Sequence, residues 1–275
     1  MSVRLSVLMN VFNRAELLRR ALSSWLRQTE GDFELIVCDD GSTDDTPQIA
    51  ERFAREAPFE VRYVRQEHRG HRRAAILNRG LRASRYEWIL FTDCDSLAMP
   101  DLVARHRAAA QPDRLLCGGY VRLNREETEA LRDDDVRSGR YEQLIESPDR
   151  RREIRRRHRA AQWQIFRRKS RRPHNMGLNY SAPREALVRI NGYDEAFEGW
   201  GGADGDVRER LRMIGVHPVS LYDTAIVLHM WHPPETTKTK ETIRRNRAWA
   251  GRRNLTVFCE RGLVQADGAQ AGDEG

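Results

Sequence analysis

Lysine is almost missing from this sequence: three of its 48 basic residues are lysine, and all the others are arginine. Such a bias does not define a function, because the base composition of a genome is enough to cause it. The net charge of +7 and the isoelectric point near 9.6 favour anionic partners. Nucleotides, acidic lipids, polyanionic glycans and nucleic acids all meet that description, and composition does not choose among them.

Cysteine is also scarce, and its four residues are scattered along the chain. None of them forms a C-x-x-C pair, which argues against a zinc ribbon or a redox motif. Cys38 and Cys94 lie in apolar runs, so we expect small buried side chains at both positions. A reducing compartment is consistent with this pattern.

Long hydrophobic runs are absent as well. No stretch comes near the length of about 20 apolar residues that spans a bilayer. The N-terminal segment has too short an apolar run, and too polar a continuation, for a signal peptide. We therefore expect a cytoplasmic protein, whose basic charge would allow peripheral contact with the inner face of the membrane through anionic lipid, or with a polyanionic glycan.

The first ~120 residues alternate between strand and helix patterns, which predicts an α/β domain with a mostly parallel sheet flanked by helices. Strands are predicted at Leu5–Met9, Phe33–Cys38, Val61–Val64, Trp88–Thr92 and Leu115–Val121, with helices at Ala15–Gln28, from Thr46, at His71–Ala83 and from Pro100. In such sheets ligands bind beyond the carboxyl ends of the strands. Three polar clusters follow predicted strands, at 10–13, 39–42 and 93–96, so we expect them to converge.

The middle of the chain is strongly basic. Arg150–Arg172 contains twelve lysine or arginine residues and one acidic residue, with aromatic side chains between them. We interpret 123–174 as a basic helical insertion and not as a domain boundary. Globular patterning returns at 175–264, beginning with 175–182, with a strand predicted at 225–229 and helices at 183–190, from 204 and at 241–252. The polar tail at 265–275 is expected to be disordered.

Two carboxylates, Asp93 and Asp95, directly follow a buried apolar strand. Buried carboxylates need a neutralising partner, and a divalent cation provides one because it binds carboxylate and phosphate oxygens. The alternative is a solvated turn in which aspartate caps the next helix. The segment 39–42 has the same two interpretations, since an Asx turn before a helix uses the same residues.

Taken together, these segments resemble family 2 glycosyltransferases of the GT-A fold. The matching segments are Ser6–Arg14 (SVLMNVFNR), Val37–Asp44 (VCDDGSTD), Ala74–Gly80 and Phe91–Ser96 (FTDCDS). The resemblance spans about residues 3–260 and implies one domain at 1–264, with a Rossmann-like, mixed and mostly parallel sheet. Its first part, 1–122, would be the donor half, and 175–264 would be the acceptor and catalytic half.

The resemblance also implies a UDP-sugar donor site. The donor-binding residues would be Asn10, Val11, Phe12, Asn13, Asp40, Arg73, Asn78, Asp93 and Cys94. Among them, the first segment and Asp40 would contact the uracil, and Arg73 would contact a phosphate or the donor sugar. Asp95 would bind Mn²⁺ or Mg²⁺ on the diphosphate.

The segment Phe197–Asp206 (FEGWGGADGD) resembles the F-x-G-W-G-x-E-D-x-D acceptor motif of β4-galactosyltransferase-like and chondroitin-polymerase-like enzymes. By this resemblance Asp204 is the general base, and Trp200, Gly201, Gly202 and Asp206 form the acceptor side. Ala203 replaces the usual glutamate, which puts the identity of the acceptor in question. The plain structural alternatives are a core tryptophan in a glycine-rich turn and acidic residues that complement a helix dipole.

Two further positions complete the predicted site. Asn179, in a stretch like the G-x-N-x-S-x-x-R-E segment of the family, would lie near the donor sugar or the acceptor, or else in a structural turn. His229 and His232 follow an apolar strand, and a C-terminal histidine in related enzymes completes the metal site with the second aspartate of D-x-D. A structural histidine at a strand end is the alternative. Imidazole favours Mn²⁺ over Mg²⁺.

The function that the sequence predicts is an inverting, metal-dependent transfer of a hexose or N-acetylhexosamine to a hydroxyl of a glycan or glycoconjugate. A catalytically silent relative, or a binder of anionic polymers acting through 150–172, is the alternative. Nucleic acid is disfavoured because six motif acids would repel it: Asp39, Asp40, Asp93, Asp95, Asp204 and Asp206. A sugar-1-phosphate nucleotidyltransferase would need a glycine-rich, basic N-terminal loop, and 10–13 offers none.

Overall fold

The computed structural model describes residues 3–167, 173–174, 176–234 and 238–265. Eight strands form one sheet: β1 (Leu5–Val11), β2 (Phe33–Asp39), β3 (Glu60–Arg65), β4 (Trp88–Asp93), β5 (Ser96–Ala98), β6 (Arg114–Arg122), β7 (Asn179–Pro183) and β8 (His217–His229). Their order across the sheet is β3-β2-β1-β4-β7-β6-β8-β5. Four of the seven pairings are parallel, so the predicted mixed, mostly parallel sheet is confirmed.

The first four strands form a continuous parallel set. They are joined by the helices α1 (Ala15–Trp25), α2 (Thr46–Glu56) and α3 (Arg73–Ala83). Successive residues of β1, such as Val7, Leu8 and Met9, are all buried because helices cover both faces of the sheet. The predicted order of elements in this half is therefore confirmed, with bounds that shift by a few residues.

The second half of the sheet is mixed. Strand β7 runs antiparallel to β4 on one side and to β6 on the other. Strand β8 is parallel to β6, and the short β5 pairs antiparallel with β8. A strand from late in the sequence thus lies between two strands from the first half. The strand predicted at Leu115–Val121 is present as β6. It does not pair with the parallel set directly, because β7 lies between β6 and β4.

Helix α4 (Leu102–Ala109) follows β5, within the predicted donor half. Short helices and one long helix occupy the predicted basic insertion: α5 (Arg125–Ala130), α6 (Asp133–Arg137), a 3-10 turn (Arg140–Ile145) and α7 (Pro148–Phe166). Ser147 caps α7 by accepting from the backbone N–H of Arg150 at 3.2 Å. Ile154 and Ala161 are buried, whereas most of the arginines are exposed. The last predicted part, 168–172, lies outside the described residues.

Three helices complete the fold: α8 (Arg184–Arg189), α9 (Ala203–Met213) and α10 (Lys240–Ala250). Strand β8 begins well before the predicted Ala225. The tail that we expect to be disordered lies, from residue 266 on, outside the described residues. Within the described ranges, no helix combines the length and the apolar character needed to cross a bilayer.

Candidate active site

The polar clusters predicted at the strand ends meet at one edge of the sheet. Asn10 in β1 pairs in register with Cys38 on one side and Asp93 on the other. Beyond the strands, the backbone N–H of Cys94 donates to the Asn10 carbonyl at 3.0 Å, and that of Asp40 donates to the Val11 carbonyl at 3.0 Å. This edge therefore holds all three clusters together.

Arg73, at the first position of α3, bridges two of the predicted acids. Its guanidinium lies 3.1 Å from Asp204 Oδ1 and 3.4 Å from Asp93 Oδ1. The Tyr193 hydroxyl donates to the same Asp204 oxygen at 2.9 Å. Tyr180 in turn hydrogen-bonds to Tyr193 and stacks on Phe91, with ring centroids 4.6 Å apart. The packed rings of Tyr193, Tyr180 and Phe91 thus support the ion cluster on its protein side.

Burial and neighbouring charges shift the pKa values in this cluster. Burial raises the pKa of Asp93 to about 6, because Arg73 only partly offsets the loss of solvent and the Asp95 and Asp204 carboxylates repel its charge. Burial alone would lower the pKa of Arg73, but Asp204 and Asp93 outweigh it and raise that pKa. Burial and then the Asp204 carboxylate raise the pKa of Tyr193, so this phenol remains a donor.

The loop before β7 closes tightly over this cluster. A Cβ atom built on Gly177 would lie 2.3 Å from Arg73 Nη2 and 3.0 Å from Asp204 Oδ2. No side chain fits there without moving one of the two. Gly177 is therefore needed for close approach, and Arg73 and Asp204 are enclosed by backbone on this side.

The second cluster lies at the other side of the β4 end. Asp95 Oδ2 is 3.1 Å from His232 Nε2, and Asp95 Oδ1 is 3.7 Å from His229 Nε2. One ligand atom from each residue lies within 4.8 Å of the others. Ligand atoms that are each ~2.1 Å from one ion lie about 3 to 4 Å apart, so the three side chains fit a single divalent cation.

Both histidines interact with Asp95. Burial lowers the pKa of His229. The hydrogen bond from His232 Nε2 to Asp95 raises the pKa of His232, whose Nδ1 lies 2.6 Å from the Pro233 carbonyl. A cation at Nε2 would take the place of the proton on that nitrogen, while Nδ1 would keep its contact with Pro233. Burial alone would raise the pKa of Asp95, but the hydrogen bond from His232 and the electrostatic attraction of both imidazoles outweigh it and lower that pKa.

The residues predicted to contact the uracil pack against other protein groups. Phe12 stacks on His68, with centroids 4.1 Å apart and planes 9° apart. Asp40 is almost fully buried, and its carboxylate accepts from Gln66 at 2.5 Å and from the Arg72 backbone N–H at 2.8 Å. Within the described residues the Asn10 side chain makes no hydrogen bond, so it is available to a ligand.

The loop with Trp200 presents an aromatic face next to Asp204. The Trp200 side chain is 40% exposed, and the Lys238 ammonium lies 4.4 Å from its ring centroid. Asn246 holds the loop by donating to the carbonyls of residues 198, 200 and 201 at 2.9 to 3.2 Å. Gly202, the N-cap of α9, has a φ of +95°, which a residue with a side chain would adopt only under strain.

Five predicted site residues have structural contacts instead. Asn78 bonds to both backbone groups of Tyr193 and to Glu195. Asn13 accepts from the Thr43 backbone N–H at 2.8 Å. The others are Asn179, bonded to His106, Gly119 and Ala225; Asp206, paired with Arg210 and Arg252; and Cys94, buried in the core. These contacts engage all five side chains with the protein itself, and their predicted donor or acceptor roles stay predictions.

Sequence reasoning also missed residues of the site. Tyr193, Gly177, His68, Gln66 and Lys238 all contact predicted site residues. Tyr193 directly follows the Asn191–Gly192 turn, where both residues have positive φ. The Asn-Gly pair in the sequence is thus a signal that could have drawn attention to Tyr193. Nothing in the local sequence distinguishes Gly177 or Gln66 from other loop residues.

Comparison with known proteins agrees with this geometry. The sequence profile of glycosyl transferase family 2 matches residues 6–175, and that of the N-terminal domain of galactosyltransferase matches residues 157–233. The chain belongs to glycosyl transferase family 2. Both parts of the predicted resemblance, the donor half and the galactosyltransferase-like acceptor motif, are thereby confirmed as resemblances.

Two curated relatives illustrate the range of the family. A validoxylamine A glucosyltransferase from Streptomyces hygroscopicus subsp. jinggangensis is 32% identical over 232 residues, which are 77% of this chain and 52% of the relative. A chondroitin synthase from Escherichia coli is 26% identical over 272 residues, which are 88% of this chain and 37% of the relative. The chain thus spans about half the length, or less, of these relatives.

Solved structures confirm the GT-A fold. A mannosyltransferase from Pyrobaculum calidifontis, in complex with GDP-Man and Mn²⁺, superposes with a TM-score of 0.59 at 21% identity and covers 90% of this chain and 61% of its own. TarS 1-349 of S. aureus, in complex with UDP-GlcNAc, has a TM-score of 0.57 at 14% identity, covering 86% and 61%. At these identities the likeness concerns the fold.

Proposed function

We propose that this protein is a metal-dependent glycosyltransferase that moves a hexose or N-acetylhexosamine from a UDP-sugar to a hydroxyl of a glycan or glycoconjugate. The observation that carries the proposal is the meeting of two clusters at the end of β4. Asp93 belongs to the cluster with Arg73 and Asp204, and Asp95 belongs to the cluster with His229 and His232. One short segment thus connects an acid–base cluster to a metal site.

Asp95, His229 and His232 would hold the cation. When bound, Mn²⁺ or Mg²⁺ acts as a Lewis acid that stabilises the departing diphosphate. Two imidazoles in the ligand set favour Mn²⁺, because Mg²⁺ prefers oxygen ligands and water. Arg73 adds a fixed positive charge on the same side, and its fork of N–H groups matches phosphate or sugar oxygens.

Asp204 would be the general base. Arg73 and Tyr193 both donate to its Oδ1, which fixes the orientation of the carboxylate before the acceptor arrives. It takes the proton from the acceptor hydroxyl while that oxygen attacks the anomeric carbon, and Trp200 supports an apolar face of the sugar. One displacement inverts the anomeric configuration, so a UDP-α-sugar would give a β-linkage.

The test is metal-dependent nucleotide binding followed by turnover of nucleotide sugars. Calorimetry with UDP, GDP and dTDP, each with Mn²⁺ and with EDTA, is expected to give Mn²⁺-dependent binding of UDP that Asp95→Ala abolishes. Asp101→Ala, at an exposed aspartate six residues further along the chain, is the matched control and should bind normally. Absence of nucleotide binding with every metal would leave a catalytically silent relative.

A second candidate function concerns the outer face of α7. Trp163 and Phe166 are 58% and 77% exposed and stack on each other at 5.8 Å. Exposed arginines extend along the same helix, which would let it lie on an anionic membrane surface without inserting deeply. Glutamine at 151, 152, 155, 156, 159 and 167 should weaken sedimentation with anionic vesicles at low salt. Equal binding of wild type and variant would contradict this, and heparin binding would indicate a polyanionic glycan instead.

A further inference from the structure

A cavity of about 250 Å³ lies between α7, the two strands β6 and β8, and the segment before β7. Its lining residues are Tyr120, Arg157, Ala160, Ala161, Gln164, Pro173, His174, Met176 and Tyr222. None of the predicted donor, metal or acceptor residues belongs to this set, whereas four lining residues belong to the basic segment 150–172. The volume is slightly below the range of ~300 to 1,000 Å³ of drug-sized pockets, so it suits a ligand of about one ring.

The cavity combines flat aromatic surfaces with a cation. The Arg157 guanidinium lies 4.1 Å from the Tyr120 ring centroid and 5.6 Å from that of Tyr222. Its Nη1 donates to the Tyr120 carbonyl at 2.9 Å, which fixes its position. An arginine fork held in this way binds an anionic oxygen pair, and the tyrosine rings line the space around it.

The charge around Arg157 is not balanced within the site. Within the described ranges, no acidic residue lines the cavity and no carboxylate forms an ion pair with Arg157. Asp223, which follows Tyr222, is paired with His158 at 3.0 Å. A half-buried arginine without a carboxylate partner favours an anionic ligand, because such a ligand would supply the missing charge.

The cavity and the proposed base border the same stretch of backbone. Met176 lines the cavity, and the next residue, Gly177, is the one whose added Cβ would meet Arg73 and Asp204. The cavity therefore lies beside the loop that closes over the proposed base.

We propose that this cavity is an acceptor subsite that binds a sugar ring carrying an anionic group, a carboxylate or a phosphate, through Arg157, with Tyr222 and Met176 lining the space for the ring. The proposal rests on the proposed function, since it assigns the acceptor class for the same reaction. Neutral sugars would lack the contact with Arg157. The acceptor would be a glycan with a uronic acid, or a sugar phosphate, near the hydroxyl that reacts.

Ligand-observed NMR can test this without donor or metal. The probes are methyl β-glucoside, methyl β-glucuronide, glucose 6-phosphate and inorganic phosphate. We expect one of the two anionic sugars to bind at least about tenfold more tightly than the glucoside, which is the effect of one charged hydrogen bond. The better of the two identifies carboxylate or phosphate as the preferred group.

Variants on α7 separate the subsite from general basic charge. Arg157→Gln, which keeps an N–H donor for Tyr120, should remove the preference for anionic sugars, and Arg157→Lys should retain part of it. Arg159→Gln, two residues away and exposed, is the matched control and should behave as wild type. Melting temperatures show whether each variant is folded.

Two results would overturn the proposal. One is equal affinity for the neutral and both anionic sugars, or a preference that survives in Arg157→Gln. The other is inorganic phosphate that binds as tightly as glucose 6-phosphate, since the sugar ring would then contribute nothing. Because donor and metal are left out, these outcomes do not depend on nucleotide binding, and a failed nucleotide test leaves them interpretable.

Discussion

Arg73 and Asp204 lie 3.1 Å apart and join the first turns of α3 and α9. The N-terminal end of a helix favours negative charge, so the position stabilises Asp204 but not Arg73. Arg73 is held there by Asp204 and Asp93 together. The pair therefore connects the part of the sheet proposed to bind the nucleotide to the motif that carries the proposed base.

Replacing Asp204 with asparagine should separate binding from turnover. We expect Asp204→Asn to bind UDP with Mn²⁺ like the wild type, because the proposed metal ligands are unchanged. Transfer should fall by about 10² to 10⁴-fold, the usual contribution of a general base. Turnover of a UDP-sugar with its acceptor is the measurement. Glu209→Gln on the same helix is the control, and equal losses in both variants would count against a base at Asp204.

Adding one methyl group at Gly177 should disturb the contact between Arg73 and Asp204 from the loop before β7. Gly177→Ala places a Cβ against Arg73 Nη2, so we expect a loss of about 1 to 3 kcal/mol in the free energy of unfolding together with reduced turnover. Urea titration measures the first effect. Gly31→Ala is a matched control, because no atom lies within 4 Å of its added Cβ. A Gly177→Ala protein as stable and active as Gly31→Ala would contradict the close approach.

Asp206 should prove to be a stability residue and not an acceptor contact. It is 1% exposed and accepts from Arg210 at 2.6 Å and from Arg252 at 3.0 Å. Asp206→Ala leaves the fully buried Arg210 without its carboxylate, which costs about 3 to 5 kcal/mol. Asp101→Ala removes an exposed pair with Arg105 and should cost well under about 1 kcal/mol. Urea titrations of both variants give the comparison, and similar midpoints would refute the assignment.

The buried His106 should make the stability depend on pH. Its ring bonds to Ser181 at 2.7 Å and Asn179 at 2.9 Å, and burial lowers its pKa from 6.5 to about 4. Between pH 6.5 and 4 the unfolded chain takes up a proton that the folded protein refuses. Stability therefore falls as pH falls through this window, by up to about 3 kcal/mol in total, and changes no further below it.

The variant His106→Gln removes this titration and keeps two hydrogen-bonding groups. We expect the difference in unfolding free energy between wild type and variant to shrink as the pH is lowered from 6.5 to 4. Replacing the exposed His217 with glutamine should leave the slope unchanged. A parallel pH dependence in wild type and His106→Gln would show that other groups cause the acid sensitivity.

Local patterns predicted the parallel half of the fold because each element there is complete in the sequence. The apolar run Leu5–Met9 and the spacing of Leu18, Leu22 and Trp25 specify a strand and a helix without distant partners. The position of β7 between β4 and β6 follows from contacts made over about 60 to 90 residues. The first part of β8 has a half-exposed pattern, so its periodicity gave no signal.

Residue type predicted which groups could carry chemistry, but not which ones face the site. Asp93, Asp95, Asp204, His229 and His232 do lie together at the predicted edge. Asn78, Asn179 and Asp206 have the same side-chain chemistry, yet they satisfy buried backbone groups or cations. Because buried polar groups need partners, a structural and a functional asparagine look alike until the fold is known.

The place of β7 also matters while the chain is being made. A ribosome releases β4 and β6 long before residues 179–183, so both strands would offer an open edge to other chains during that interval. A fragment that ends at residue 122 would keep those edges permanently. We therefore expect a stage of synthesis at risk of aggregation, which ends only when β7 has paired with β4 and β6 and β8 has covered the other side of β6.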